Sequence, residues 1–246
     1  MRNIKLTIEY DGTIYKGWQS QGKRRTKTIQ QVLEKSLEKI LGEKIKLIAS
    51  GRTDSGVHAL GQVANFKTRT KLKPDQIKMA LNSNLPLDIV VRGAKEVDSK
   101  FHSRYDVKSK VYRYVILNRM ERPAIYRNRC LFISYRLDLN LMQQEARQLL
   151  GRHDFKVFQS ANKVQRGSVR TIKSIKINKK ADSISIEIES NGFLYKMVRN
   201  IVGTLIEIGR GRFEKGTINR LLSSKNRCLA GPSAPAGGLY LLKVNY

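Results

Sequence analysis

The stretch Gly51–Ala59 reads GRTDSGVHA and lies between two short segments with the pattern of β-strands. Upstream, Lys46–Ala49 is partly apolar, and downstream Gln62–Phe66 alternates between polar and apolar residues. This order predicts a strand–turn–strand hairpin that holds Asp54 rigidly at a surface while both flanks are buried. Arg52, two positions away, puts a fixed positive charge beside that carboxylate. An immobilised, ionised carboxylate is what nucleophilic catalysis by aspartate requires.

The same stretch permits other interpretations. Asp-Ser-Gly is also an ordinary turn sequence, because aspartate bonds its own backbone and glycine accepts positive φ. Asp54 and His58 have the i,i+4 spacing of metal ligands on a helix, but Gly56 disfavours a helix and no cysteine–histidine cluster supplies further ligands. Ser55 with His58 lacks the G-x-S-x-G sequence of serine hydrolases. A nucleophile and a plain turn therefore remain the two main interpretations.

The charge of the chain is the second strong signal. The 246 residues include 48 lysines and arginines against 20 acidic residues, a formal net charge of +28. Such an excess repels itself unless a polyanion binds, so nucleic acid is the expected partner. A membrane surface is less favoured because the basic residues are spread over the whole chain instead of forming one cluster. A general lysine bias of the source proteome would account for part of the excess.

Cysteine usage and hydropathy point to a cytoplasmic location. The two cysteines, Cys130 and Cys228, form neither a C-x-x-C motif nor a disulfide framework. The first residues lack the apolar core of a signal peptide, and no apolar run reaches transmembrane length. We therefore expect a soluble protein in a reducing compartment, without a membrane partner.

Hydrophobic periodicity predicts an α+β fold with antiparallel sheets flanked by helices. The predicted strands beyond the hairpin are Ile4–Tyr10, Ile89–Val91, Lys110–Leu117, Ser174–Ile177, Ser183–Glu189 and Leu239–Val244. The predicted helices run from a Thr28 cap to Leu41, from Pro74 to Leu81, over Leu139–Leu150, over Phe193–Ile208 and around Ile218–Leu222. A composition shift near residue 118 divides an N-terminal lobe, residues 1–118, from a C-terminal lobe, residues 119–246. The halves are similar in make-up, but no exact repeat supports a duplication.

Several motifs along the chain match one family. They are Asp11–Thr13 with Gly17–Gln19, Gly51–Ala59, Lys110–Tyr114, Gly151–Phe155, Val169–Ile172, Met197–Gly203 and Ala234–Leu241. Together they cover essentially the whole chain, and the nine-residue Gly51–Ala59 match is highly specific. By these motifs the sequence resembles the tRNA pseudouridine synthase A family.

The resemblance implies a pseudouridine-synthase fold, a two-lobed core with a cleft between the lobes. It implies isomerisation of uridine to pseudouridine at positions 38, 39 and 40 in the anticodon stem-loop of tRNA. It also implies a homodimer that uses no metal and no organic cofactor.

The resemblance also assigns roles to individual residues. Asp54 is the nucleophile and attacks either C6 of uracil or C1′ of the ribose. Tyr112 packs against or hydrogen-bonds the flipped base, Arg199 pairs with Asp54, and Arg52 holds the flipped nucleotide or its phosphate. His58 is expected to be a structural hydrogen-bonding residue. The pattern alone favours a half-buried strand tyrosine for Tyr112 and a solvated helix face for Arg199.

Three further expectations complete the hypothesis. Tyr114 belongs to the core. The basic segments Lys23–Arg25 and Lys163–Arg170 contact the tRNA backbone. A non-catalytic basic RNA-binding protein and a metal-dependent RNA-processing hydrolase remain the alternative functions. The role of Asp54 distinguishes the synthase from the first, and intact RNA with no effect of a chelator distinguishes it from the second.

Overall fold

A computed structural model describes residues 1–19, 27–160 and 167–246 of the chain. These residues form two compact units, Met1–Lys108 with Tyr240–Tyr246 and Ser109–Leu239. Each unit contains a β-sheet and packed α-helices, so the predicted α+β class is confirmed. The division into functional lobes at residue 118 stays a prediction. The predicted contact segment Lys23–Arg25 lies outside the described residues.

The sheet of the first unit has the strand order β4-β1-β3-β10, with β2 paired to β3. The strands are β1 (Arg2–Tyr10), β2 (Ile48–Ala49), β3 (His58–Thr68), β4 (Ile89–Val97) and β10 (Leu239–Asn245), which belongs to this unit from Tyr240 onward. β1 pairs antiparallel with β3 and β4, whereas β10 runs parallel to β3. Strict alternation along β1 buries Ile4, Leu6, Ile8 and Tyr10, as the sequence predicts.

Two helices belong to this unit, α1 (Ile29–Leu41) and α2 (Pro74–Asn84). The Thr28 hydroxyl caps α1 by accepting from the Gln31 amide, and Gly42 ends it with φ of 66°. Proline at the first position of α2 costs no hydrogen bond, because that amide has no partner inside a helix. Both helices begin where the sequence predicts.

The sheet of the second unit has the strand order β5-β9-β8-β7, with β6 parallel to β5. Its strands are β5 (Ser109–Asn118), β6 (Leu131–Ile133), β7 (Gly151–Asp154), β8 (Val169–Lys180) and β9 (Ser183–Ser190). Its helices are α3 (Leu139–Arg147), α4 (Met197–Gly209) and α5 (Thr217–Ser224), and α3 packs against α4, α5 and β8. The buried face carries alternate apolar residues of β5 and β9: Tyr112, Tyr114, Ile116, Ile184, Ile186 and Ile188.

Several boundaries differ from the prediction for local reasons. α4 begins at Met197 instead of Phe193, because Lys196 adopts a left-handed conformation with φ of 58°. α3 ends at Arg147 instead of Leu150, since i→i+3 hydrogen bonds tighten the chain that follows it. The strand predicted at Ile89–Val91 is longer and lies at the sheet edge.

Other predictions are confirmed or fall partly outside the structure. The last strand forms as predicted, but it joins the first unit. The segment Lys163–Arg170 and the polar loop predicted at residues 159–168 lie partly outside the described residues. In the described part of the chain, no helix has the length and hydropathy needed to cross a membrane.

Candidate active site

Asp54 lies on the segment 50–57 that connects β2 to β3. The predicted hairpin forms, since Ile48 pairs with Asn65 and Ala49 with Ala64. The connection is longer than the predicted tight turn, because β3 begins at His58 and runs several residues before it pairs with β2. Asp54 is therefore carried by a connecting loop whose own hydrogen bonds must fix it.

Hydrogen bonds to residues 15–18 fix this loop. The Trp18 amide donates to the Thr53 carbonyl over 3.1 Å, and the Gly56 amide donates to the Tyr15 carbonyl over 3.3 Å. The Ser55 hydroxyl donates to the same Tyr15 carbonyl over 3.1 Å. The residues on either side of Asp54 are thus held by a neighbouring segment, which restricts the position of its backbone.

Two glycines allow this close approach. A Cβ on Gly17 would lie 2.6 Å from the Thr53 carbonyl oxygen, and Gly17 has φ of +83°. A Cβ on Gly12 would lie 2.0 Å from the Val57 carbonyl oxygen. Neither position accepts a side chain without movement of the backbone. The two glycines in the opening motifs therefore serve the Asp54 loop directly.

A buried polar layer supports the loop. The hydroxyls of Tyr10 and Thr53 are 2.7 Å apart, and burial raises the pKa of Tyr10, so its phenol stays protonated near neutral pH. Gln62 is fully buried, accepts from the Ser50 hydroxyl over 2.7 Å and donates to the Gly51 carbonyl over 2.9 Å. Satisfied buried hydrogen bonds of this kind favour one loop conformation.

His58 is occupied by structural contacts. It is buried, its ring stacks on Tyr240 with centroids 4.8 Å apart, and its Nδ1 accepts from the Gly12 amide over 3.0 Å. An Asp11 carboxylate oxygen lies 3.1 Å from the same nitrogen. Because Nδ1 accepts from an amide, we assign the ring proton to Nε2 and do not count the Asp11 contact as an ion pair. These contacts favour the predicted structural role.

The two candidate residues of the first unit, Arg52 and Asp54, lie on the same loop but differ in solvent exposure. Asp54 is half-buried and Arg52 is exposed, whereas Thr53 between them is buried. The buried Thr53 anchors the loop, so its two charged neighbours are presented at the surface of the unit. A carboxylate held in this way can attack a bound electrophile without first losing conformational freedom.

Tyr112 and Tyr114 lie two residues apart on β5. Tyr112 is 9% exposed, and its ring packs edge-on against Phe193 with centroids 5.0 Å apart. Tyr114 is fully buried and donates from its hydroxyl to the Pro235 carbonyl over 2.8 Å. The prediction that Tyr114 is a core residue is confirmed.

Arg199 lies in the first turn of α4 and is half-buried. Its Nε donates to the Ala234 carbonyl over 2.7 Å, and its own carbonyl accepts from the Ala234 amide over 3.0 Å. Burial raises the pKa of Tyr114, and the positive charge of Arg199 opposes that rise, so the two side chains share an environment. A solvated helix position does not describe this arginine.

The structure thus brings Arg52 and Asp54 together on one loop and places Tyr112 and Arg199 in the second unit. The pairing of Asp54 with Arg199 stays a prediction. Among the described residues, no group of three or more His, Cys, Asp and Glu side chains is arranged to hold a metal ion.

The residues that support these side chains were not predicted from the sequence. The contact between Ala234 and Arg199 was not predicted. No individual role was predicted for Gly17 or Gln62. The adjacent Trp18 was a signal for a packed segment at Gly17, but the Ala234 contact joins residues far apart in the chain and has no local signal.

Comparison with known proteins agrees with the motifs. A family model described as tRNA pseudouridine synthase matches residues 6–106 and 146–246, so both halves of the chain carry a match. The chain is 48% identical over 246 residues to "tRNA pseudouridine synthase A" of Thermoanaerobacter sp. (strain X514), with both chains covered in full. It is 47% identical, again over 246 residues and the full length of both chains, to the protein of the same name from Acetivibrio thermocellus. The same identity and coverage relate it to "tRNA pseudouridine synthase A 2" of Clostridium perfringens. This chain therefore belongs to the tRNA pseudouridine synthase A family of isomerases.

Proposed function

We propose that this tRNA pseudouridine synthase isomerises uridines 38, 39 and 40 in the anticodon stem-loop of tRNA, with Asp54 as the nucleophile. The observation that carries this proposal is the fixed loop of Asp54, tied to residues 15–18 by hydrogen bonds and supported by Gln62. Family membership supports the substrate class. The position in the tRNA rests on the resemblance of the motifs.

The reaction breaks one bond to the ribose and forms another. The N1–C1′ bond of uridine is broken, the base rotates, and C5 bonds to C1′; C5 loses a proton while N1 gains one. Because the target base is stacked in an RNA arm, it must be flipped out before Asp54 reaches it. Asp54 attacks either C1′ of the ribose, displacing N1, or C6 of uracil, adding across the C5–C6 bond, and both routes are part of the proposal. In either route the bond to Asp54 is broken again before the product leaves, so the free carboxylate is regenerated. A carboxylate held by its loop converts either attack into an intramolecular step.

Three other side chains have proposed roles at this site. Tyr112 packs against the flipped base or hydrogen-bonds it, supported by its position against Phe193. Arg199 pairs with Asp54, supported by the hydrogen bond that orders its guanidinium. Arg52 holds the flipped nucleotide or its phosphate, supported by its exposure on the Asp54 loop.

The proposed assembly is a cytoplasmic homodimer. The resemblance supports the dimer, and two cysteines outside any disulfide, Cys130 and Cys228, fit a reducing compartment. Sedimentation of the purified chain should give the mass of two copies, and fractionation of the source cells should place it with cytosolic markers. A monomer at working concentration, or a membrane-bound fraction, would refute the respective part.

The position of modification is tested with defined RNAs. We would prepare tRNA transcripts in which position 38, 39 or 40 carries the single uridine of the anticodon arm, and a matched transcript with none there. Each single uridine should become pseudouridine, while the matched transcript gains none in that arm. Product confined to another arm would refute the anticodon assignment and leave the enzyme class intact.

A further inference from the structure

The segment Gly231–Pro235, here called the clasp, lies against α4 at unusually short range. A Cβ on Gly203 would lie 1.7 Å from the Pro232 carbonyl oxygen, and a Cβ on Gly231 would lie 2.8 Å from the Thr204 Cα. Both elements therefore need glycine at the crossing point, which brings their main chains into direct contact.

Hydrogen bonds join three residues of the clasp to α4. The Gly231 amide donates to the Thr204 hydroxyl over 3.0 Å, and the Ser233 hydroxyl donates to the side-chain carbonyl of Asn200. Ala234 then exchanges two bonds with Arg199, one from its amide and one to its carbonyl. The clasp is thus joined to α4 at three positions, and the last of them is Arg199.

Asn200 is the centre of this network. It is fully buried, and its amide nitrogen donates to the Phe158 carbonyl over 2.8 Å and to the Ser160 hydroxyl over 3.3 Å. Its oxygen accepts from Ser233 and, over 3.2 Å, from Arg227. Both donors and both acceptor positions of one amide group are therefore used. Such an arrangement fixes the rotamer of Asn200 and the clasp that it binds.

Packing alone does not hold the clasp. A cavity of about 260 Å³ borders residues 232–235 and is also lined by residues 131–135 and by Ile206 of α4. Open space on one side lets residues 232–234 shift if their bonds to α4 are lost, while the Tyr114 hydroxyl still holds the Pro235 carbonyl over 2.8 Å. A shift of Ala234 would carry the Nε partner of Arg199 with it.

We propose that Asn200 is a positioning residue for Arg199 and acts through the clasp. This inference rests on the role proposed for Arg199 at the active site. Arginine has many rotamers in water, and ordering them costs free energy. The Ala234 carbonyl sets the orientation of the guanidinium before substrate binds, and Asn200 sets the position of Ala234. Asn200 itself touches no substrate.

The test is a double-mutant cycle on the single-turnover rate of pseudouridine formation. Asn200→Ala should slow that rate about 10- to 100-fold, because a small misplacement of a catalytic group has effects of this size. The apparent Kd for tRNA should change less than about threefold. In an Arg199→Ala background, Asn200→Ala should slow the rate less than about twofold further, while it still lowers the melting temperature.

A second variant guards against failure of Asn200→Ala to fold. Ser233→Ala removes one hydroxyl from a half-buried position and should slow the reaction several-fold in the wild-type background only. The matched control is Ser83→Ala, which removes a hydroxyl that donates to the Met79 carbonyl within α2. Its rate should equal that of the wild type.

The outcomes separate the two proposals. If Arg199→Ala slows the reaction and the Asn200 or Ser233 variant slows it by the same factor in both backgrounds, the positioning role of Asn200 is refuted alone. If Arg199→Ala turns over at the wild-type rate, the role of Arg199 in the proposed function is wrong and the positioning role falls with it. Effects that vanish in the Arg199→Ala background support the proposal.

Discussion

Asp54 depends on residues that carry no chemistry of their own. Gly17 lies so close to the loop that a Cβ on it would be 2.6 Å from the Thr53 carbonyl oxygen, and the Tyr10 hydroxyl is hydrogen-bonded to the Thr53 hydroxyl. The position of the Asp54 carboxylate therefore depends on how closely two backbone segments pack. A substitution at Gly17 should lower the reaction rate although Asp54 itself is unchanged.

Gly17→Ala tests this dependence. The substitution adds a clash with Thr53 to the strain of a positive φ, so the free energy of unfolding should fall by about 2 to 4 kcal/mol and turnover should fall more than tenfold. Gly42→Ala is the matched control, because Gly42 also has positive φ, at 66°, but has open space around it. It should cost about 1 kcal/mol and leave turnover unchanged. Equal effects of both variants would contradict the account.

The sequence alone predicts the elements whose ends and buried faces have local signals. The first helix follows its Thr28 cap and Gly42 stop, and the alternation of β1 predicts its buried face. The sequence is insufficient where one residue overrides a pattern: the apolar period continues back to Phe193, but the left-handed Lys196 delays α4 to Met197. The hydrophobic pattern predicts which face of an element is buried, whereas the φ angle of a single residue depends on the residues packed around it.

The Asp154 carboxylate stabilises the junction between β7 and the turn at residues 155–158. Asp154 accepts from the Lys156 amide over 3.1 Å and lies 3.3 Å from the Lys225 ammonium at the end of α5. A hydrogen bond from Ser168, followed by those of Lys156 and Lys225, holds the pKa of this carboxyl below its usual range. Asp154 therefore links three neighbouring segments of the second unit.

This shift predicts a pH-dependent stability. Because the pKa of Asp154 is lower in the folded state, its contribution is complete above the usual aspartate pKa of about 3.9 and is lost as the pH falls through the folded value. Asp154→Asn should lower the free energy of unfolding at pH 7 by less than about 1 kcal/mol. The difference in this free energy between the wild type and the variant should narrow below about pH 4. Denaturant titrations of both proteins across pH measure it, and a difference that widens in acid would contradict the assignment.

Two features belong to the scale of the whole chain: its large positive charge and the pairing of residues that are far apart in the sequence. The net charge predicted a polyanion partner, and membership of a tRNA-modifying family agrees with it. The sequence did not predict that the last strand joins the first unit, where Tyr240 pairs with His58 and the Tyr246 hydroxyl donates to the Ser103 carbonyl. A parallel pairing between such distant residues leaves no local pattern. The motifs at both ends of the chain therefore contribute to one unit.

The charge predicts a steep salt dependence of tRNA binding. Each phosphate contact adds close to one to the slope of log Kd against log salt, because bound counterions are released. Arg52→Ala should reduce that slope by about one, and Arg52→Lys should preserve it, because the charge is kept. Filter-binding titrations at several salt concentrations measure the slopes. An unchanged slope for Arg52→Ala would remove this residue from the RNA contact.

The most direct measurement concerns Asp54 itself. Asp54→Asn keeps the size of the side chain and removes its nucleophilic charge, so the loop and its hydrogen bonds should persist. We expect a folded variant with at most the small loss of stability that removal of one partly exposed ion pair brings. We also expect tRNA binding within about threefold of the wild type and at least a roughly 10³-fold slower release of tritium from tRNA labelled at uracil C5. Release at the wild-type rate by the folded variant would contradict the account, because the carboxylate would then be dispensable for the chemistry.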